Sequence, residues 1–233
     1  MVARRWVQGH PQGPGLFAGV ASAVRRRGLR WAVGGFAVAV LLLTVVLGEA
    51  LDRPLGRFLK DPASITGSSP LTGFVSNLGM VLWTSAAAIA GFAAILLRER
   101  PGEARYARML GLGAGLTTLL MLDDLFMLHE DLVPRLLGIP QVLVIGTYGL
   151  LTLAFLAGFR DLFASRRAAP LFLALGLFAV SAGADQLGPA HEMILVEDGC
   201  KFLGIAAWLV YFTETAAWRL RLPPGGAPSA APA

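Results

Sequence analysis

The chain has 233 residues, of which 55% are hydrophobic and 15% charged, with a net charge of +5 and a mean hydropathy of +0.64. Soluble domains average roughly 25% charged residues, so this composition excludes an ordinary soluble enzyme, and the lack of short alternating apolar segments excludes a β-barrel. A lone cysteine, Cys200, excludes an internal disulfide and a cysteine-based zinc site.

Residues 1–30, rich in Arg, Gly and Pro, read as a basic tail. Six apolar segments follow, at about 31–50, 71–97, 107–129, 139–159, 170–188 and 195–218. A helix needs roughly 20 apolar residues to cross a bilayer, and it satisfies its own backbone polar groups there. The expected fold is therefore all-α: a polytopic bundle of six membrane spans within residues 31–218. Residues 219–233, ending in LPPGGAPSAAPA, read as a disordered Pro/Ala-rich tail. The first segment, ending at Gly48-Glu49-Ala50, has some marks of a cleaved leader. Its charged region and apolar run are too long for one, and a retained helix is expected.

The basic residues orient the bundle. With the N-terminus inside, the inner segments carry fifteen arginines, and the outer segments hold only Arg53, Arg57, Lys60 and Arg135. Positive charge accumulates on the cytoplasmic side, so both termini are expected there, in a multi-pass protein of the cell membrane. This placement also accounts for the net charge without any nucleic-acid partner. Membrane lipids are the expected partners.

The third segment ends in MLDDLFMLHED, residues 121–131. Its arrangement recurs where the fifth ends, in ADQLGPAHEM, residues 184–193. Asp123 is followed six positions later by His129-Glu130, and Asp185 by His191-Glu192. On a continuous helix Asp123 would share a face with Glu130, and Asp185 with Glu192. The histidines would face elsewhere unless the helix ends first, as Gly188-Pro189 suggests for the fifth. At a rise of 1.5 Å per residue, Asp123 lies roughly 10 Å inward from Glu130. A bare charge at that depth is costly, so Asp123 and Asp124 are expected to be paired, hydrated or protonated.

The sixth segment opens with VEDGCK, where Glu197 and Lys201 stand four apart and suit an ion pair along the helix. Lys201 is equally able to reach across to Asp123 or Asp185. The second segment adds Ser76 and Asn77. Together with Asp198 these residues predict one polar network at the outer end of the bundle, facing the extracytoplasmic side.

Some of these strings resemble the CREST superfamily, which includes alkaline ceramidases and progestin/adiponectin-type receptors. The matching strings are Ser76-Asn77, then Leu122-Asp123-Asp124, and the four-residue spacing of Glu197 and Lys201. The resemblance covers roughly residues 70–130 and 180–210, and it implies a membrane hydrolase of lipid amides or esters. It also implies zinc held by three histidines and a seven-span fold. Leu112, Glu197 and Lys201 stand where those histidines would be. Only Asp123 carries over.

Three functions compete. In the first, Asp123, His129, Asp185 and His191 bind a divalent metal such as zinc. That metal would activate water against a lipid amide or ester, with Asp123, Asp124, Glu130 and Glu192 as the catalytic carboxylates. The second is a proton- or cation-coupled transporter, in which Asp123, Asp124, Asp185, Glu197 and Lys201 form a relay. In the third, the cluster is a buried ion-pair network that fixes helix register in a structural or accessory membrane protein. The reading that covers most of the residues is a site for a cation or a lipid headgroup.

Overall fold

A computed structural model describes residues 27–185 and 191–223; of residues 27–30, 32, 191 and 192 it describes the backbone alone. The expectations for the basic tail up to residue 26, for Gly188-Pro189 and for the tail from residue 224 lie outside the described residues. The chain divides into two compact units, residues 1–70 and 71–233. All regular structure among the described residues is helical. Among the described residues, five helices are long and apolar enough to cross a membrane.

The first unit contains one of them, α1 (Arg27–Ala50), whose apolar window runs over Val33–Ala50. It exposes Phe36, Leu42 and Val46, as a helix with a lipid-facing surface does. Two short helices follow, α2 (Gly56–Leu59) and α3 (Pro62–Thr66). Asp61 caps α3 by accepting from the Ala63 amide at 2.8 Å, and Pro62 begins it where a missing N–H costs nothing.

The second unit begins with an antiparallel pair, α4 (Phe74–Arg98) and α5 (Ala104–Phe126). A short turn through Gly102 joins them, with φ at +82°. Small residues set their spacing. Ala86, Ala90, Ala93 and Ala94 are buried on one face of α4, and Cβ atoms at Gly91 and Gly111 would meet Ala114 and Ala94 at 3.6 Å. Apolar side chains gain little by leaving lipid for protein, so close backbone approach and dispersion hold such helices together.

Beyond α5 the chain makes a five-residue π turn, Leu128–Leu132, and the short α6 (Val133–Leu137). Then come α7 (Gln141–Gly158), α8 (Arg160–Phe163), a 3-10 turn at Arg166–Ala168 and α9 (Ala169–Asp185). The chain closes with α10 (His191–Arg221), 31 residues long. It falls outside the five apolar spans because Glu197, Asp198, Lys201, Glu214, Arg219 and Arg221 interrupt it. Helix α10 packs against α9 and α4, whereas α7 rests mainly on α5 and the π turn and hardly touches α9.

An aromatic core fills the unit. Trp208 contacts Trp83, Phe178 and Phe212, with ring centroids 5.9, 6.1 and 5.4 Å away. A Cβ on Gly113 would come within 2.4 Å of Phe212, and one on Gly204 within 2.6 Å of Phe178, so both positions need a bare backbone. Trp83 and Trp208 are both buried.

The basic end of this unit holds a pair that the sequence reading did not anticipate. Glu103, in the turn before α5, receives two hydrogen bonds from Arg219. Both side chains are buried, and the guanidinium lies over the rings of Tyr106 and Trp218. Arg219 therefore pairs with Glu103.

Candidate functional site

The acidic motif of α5 does not continue as a helix. The helix stops at Met127, which takes a left-handed conformation with φ at +49°. A non-glycine residue rarely adopts it, and here the rest of the turn holds it in place. The reversal folds His129 back onto the last turn of α5. Asp123 Oδ1 accepts from the His129 backbone N–H at 3.0 Å, and Asp123 Oδ2 lies 2.5 Å from His129 Nδ1. Tyr148 of α7 donates its hydroxyl to Asp123 Oδ1 at 2.9 Å. One carboxylate thus serves as a side-chain cap for the π turn and as the acceptor for two neighbouring side chains. Asp123 is buried, 4% exposed, and its oxygens are satisfied in the way a buried charge requires.

His129 lies beyond the end of the span at Phe126. The hydrogen bond to Asp123 outweighs partial burial and holds its pKa above the ordinary histidine value. Its second nitrogen, Nε2, is 3.4 Å from Glu130 Oε1.

Asp124 turns the other way. Its Oδ1 is 2.6 Å from Lys201 Nζ on α10, and its Oδ2 accepts from Trp83 Nε1 at 3.0 Å. Lysine therefore reaches across helices to Asp124, where the sequence pointed to Glu197, Asp123 or Asp185. Neighbouring aspartates on one helix point about 100° apart, so each finds its own partner helix.

These groups border a cavity of about 500 Å³. At one end stand Asp123, Asp124, His129, Glu130, Glu197 and Lys201. The rest is mostly apolar, with Ile145, Leu153 and Leu156 of α7 and Leu175, Phe178 and Ala179 of α9, joined by the hydroxyls of Thr152 and Ser181. Asp185 also lines it, at the end of α9, where it accepts from Gln141 Nε2 at 3.4 Å. A second cavity, about 360 Å³, has Ser76 and Asp198 in its wall. Asp124 and Lys201 line both cavities, so their ion pair forms part of the partition. Asn77 is exposed at the start of α4.

Of the expected metal ligands, Asp123 and His129 are in contact, and Asp185 engages Gln141. The side chains of His191 and Glu192 lie outside the described residues, so the doubled motif is described in full only on α5. Among the described residues no three of His, Cys, Asp and Glu stand close enough together to hold a metal ion. The donor set that the resemblance implies does not fit zinc either. Lys201 occupies one position as an ammonium paired with Asp124, and the exposed Leu112 occupies another.

The sequence did not mark Tyr148 or Trp83 as a partner of the two aspartates. A tyrosine within an apolar run was the available signal for the first, since its hydroxyl must find an acceptor inside a membrane.

No curated protein and no solved structure matches this chain. A family model described as a domain of unknown function, DUF8692, matches residues 18–215, and the chain belongs to that family.

Proposed function

We propose that this protein is a six-span membrane protein with both termini in the cytoplasm and a site on the extracytoplasmic side that binds a lipidic amphiphile. The polar head would lie among Asp123, Asp124, His129, Glu130 and Lys201, and the tail along α7 and α9. One observation carries this reading: the wall of the cavity of about 500 Å³ joins a group of charged side chains to a mostly apolar lining from α7 and α9. Ligand sites are commonly about 300–1,000 Å³, mostly apolar, with a few convergent polar groups. In this reading α10 is the sixth span, its acidic residues turned toward the site and away from lipid.

A second reading, hydrolysis of a lipid amide or ester as in CREST-like enzymes, is favoured by the contact between Asp123 and His129. A carboxylate on Nδ1 fixes the ring and leaves Nε2 facing the cavity, the arrangement a general base needs. Glu130, near that nitrogen, would share the proton. No step is assigned to a metal, because the donor set does not fit one.

Native mass spectrometry of the protein released from mild detergent tests the binding reading. About one retained lipid per chain is expected, with less retained by Asp123→Asn at unchanged helicity. A wild type that carries no lipid and rebinds none after delipidation overturns it. Fatty-acid release from lipid esters and amides, lost in His129→Gln, would establish the second reading. A register-fixing network without a ligand predicts loss of stability in these variants and no change in lipid content.

A further inference from the structure

Resting on the binding reading, we infer that the ligand is a single-chain amphiphile with a cationic amine or quaternary ammonium head, entering sideways between α7 and α9.

The head follows from charge. Five carboxylates line the cavity, on Asp123, Asp124, Glu130, Asp185 and Glu197, against the cationic groups of Lys201 and His129. Among the described residues, even with both cations charged and Asp185 left out of the count, the wall has a surplus of two negative charges. Trp83, Tyr148 and Phe178 line the same space, and Trp83 stacks on Phe178 with centroids 5.6 Å apart. Carboxylates with aromatic faces beside them attract an ammonium by both Coulomb and ring-quadrupole terms. An anionic head would meet the carboxylate surplus in a site of low dielectric.

The chain follows from volume. At roughly 30 Å³ for each water-sized group, about 500 Å³ holds on the order of 17 such groups, enough for one alkyl chain and a small head.

The route follows from packing. Helices α7 and α9 supply the long walls of the cavity yet hardly touch each other. Leu153, Ala179 and Ala182 line it and are exposed, so it is open along that side. Gly149, on the α7 wall, also faces empty space: a Cβ there would meet nothing within 4 Å. A large side chain at Gly149 would fill the cavity from a position that leaves the packing of the bundle intact.

The test is competition in neutral alkyl-glycoside micelles. Full-length protein is offered an equimolar mixture of dodecyltrimethylammonium, dodecyl sulfate and monododecanoylglycerol, and retained probe is read by native mass spectrometry. About tenfold retention of the ammonium over the sulfate is expected, a difference of about 1.4 kcal/mol, and Gly149→Trp is expected to abolish it at unchanged helicity. Equal retention of all three probes, blocked by Gly149→Trp, overturns the cationic head and leaves the binding reading standing. Retention of none, or retention that Gly149→Trp leaves unchanged, overturns the binding reading as well.

Discussion

Lys201→Met removes the ammonium that faces Asp124. The Asp124 side chain is 8% exposed, and without Lys201 the hydrogen bond from Trp83 Nε1 would remain. Leaving one member of a fully buried pair unpartnered costs about 3–5 kcal/mol. The Lys201 side chain is 36% exposed, so water screens part of the interaction, and the expected loss falls to about 2–3 kcal/mol. Replacing both groups, Asp124→Leu with Lys201→Met, leaves no orphaned charge and should cost less than the two single changes summed, by about 1–2 kcal/mol. Unfolding followed by circular dichroism in mixed micelles of rising dodecyl sulfate fraction measures all four proteins. A loss below about 0.5 kcal/mol for Lys201→Met would refute the pairing as an energetic element, as would strictly additive costs in the double variant.

Glu103→Gln leaves the buried Arg219 without its carboxylate, and a loss of about 3–5 kcal/mol is expected in the same assay. Gly113→Ala would drive a methyl into Phe212 and cost about 1–3 kcal/mol, whereas Gly115→Ala, where a Cβ meets nothing within 4 Å, should stay within about 0.5 kcal/mol. Trimming the ring in Gly113→Ala/Phe212→Leu should recover part of that cost. His129 gives a pH signature. Its pKa is raised on folding, so its contribution is complete below the unfolded value of 6.5 and fades as pH rises through the higher folded value. Stability should fall as pH rises above 6.5, and His129→Gln should flatten that part of the profile.

The elements most legible in the sequence are those decided by chain-local physics. Long apolar runs in a chain with little charge leave helices as the way to satisfy backbone groups in lipid, so the all-helical class and the apolar spans follow directly. The last helix, α10, was harder to read. Its apolar residues are diluted by Glu197, Asp198 and Lys201, because a helix that turns a polar stripe inward has no uniform hydropathy. The gathering of acids near Asp123 was likewise foreseeable from cost, since carboxylates at that depth need partners.

Which partner each acid takes was not in the sequence. Periodicity aligned Asp123 with Glu130, but a left-handed Met127 ended the helix and brought His129 back instead. Spacing along α10 offered Glu197 to Lys201, and the packing of α10 on α4 and α5 delivered Asp124. Arg219, counted only as one of many basic residues, meets a glutamate 116 positions away. Tyr148 was a letter in an apolar run until α7 came to lie beside α5. Composition and periodicity report what a segment needs from its surroundings, because burial and desolvation act on each residue wherever it goes. Partner choice and the cavity between α7 and α9 depend on distances between segments remote in the chain, and those are set only when the helices pack.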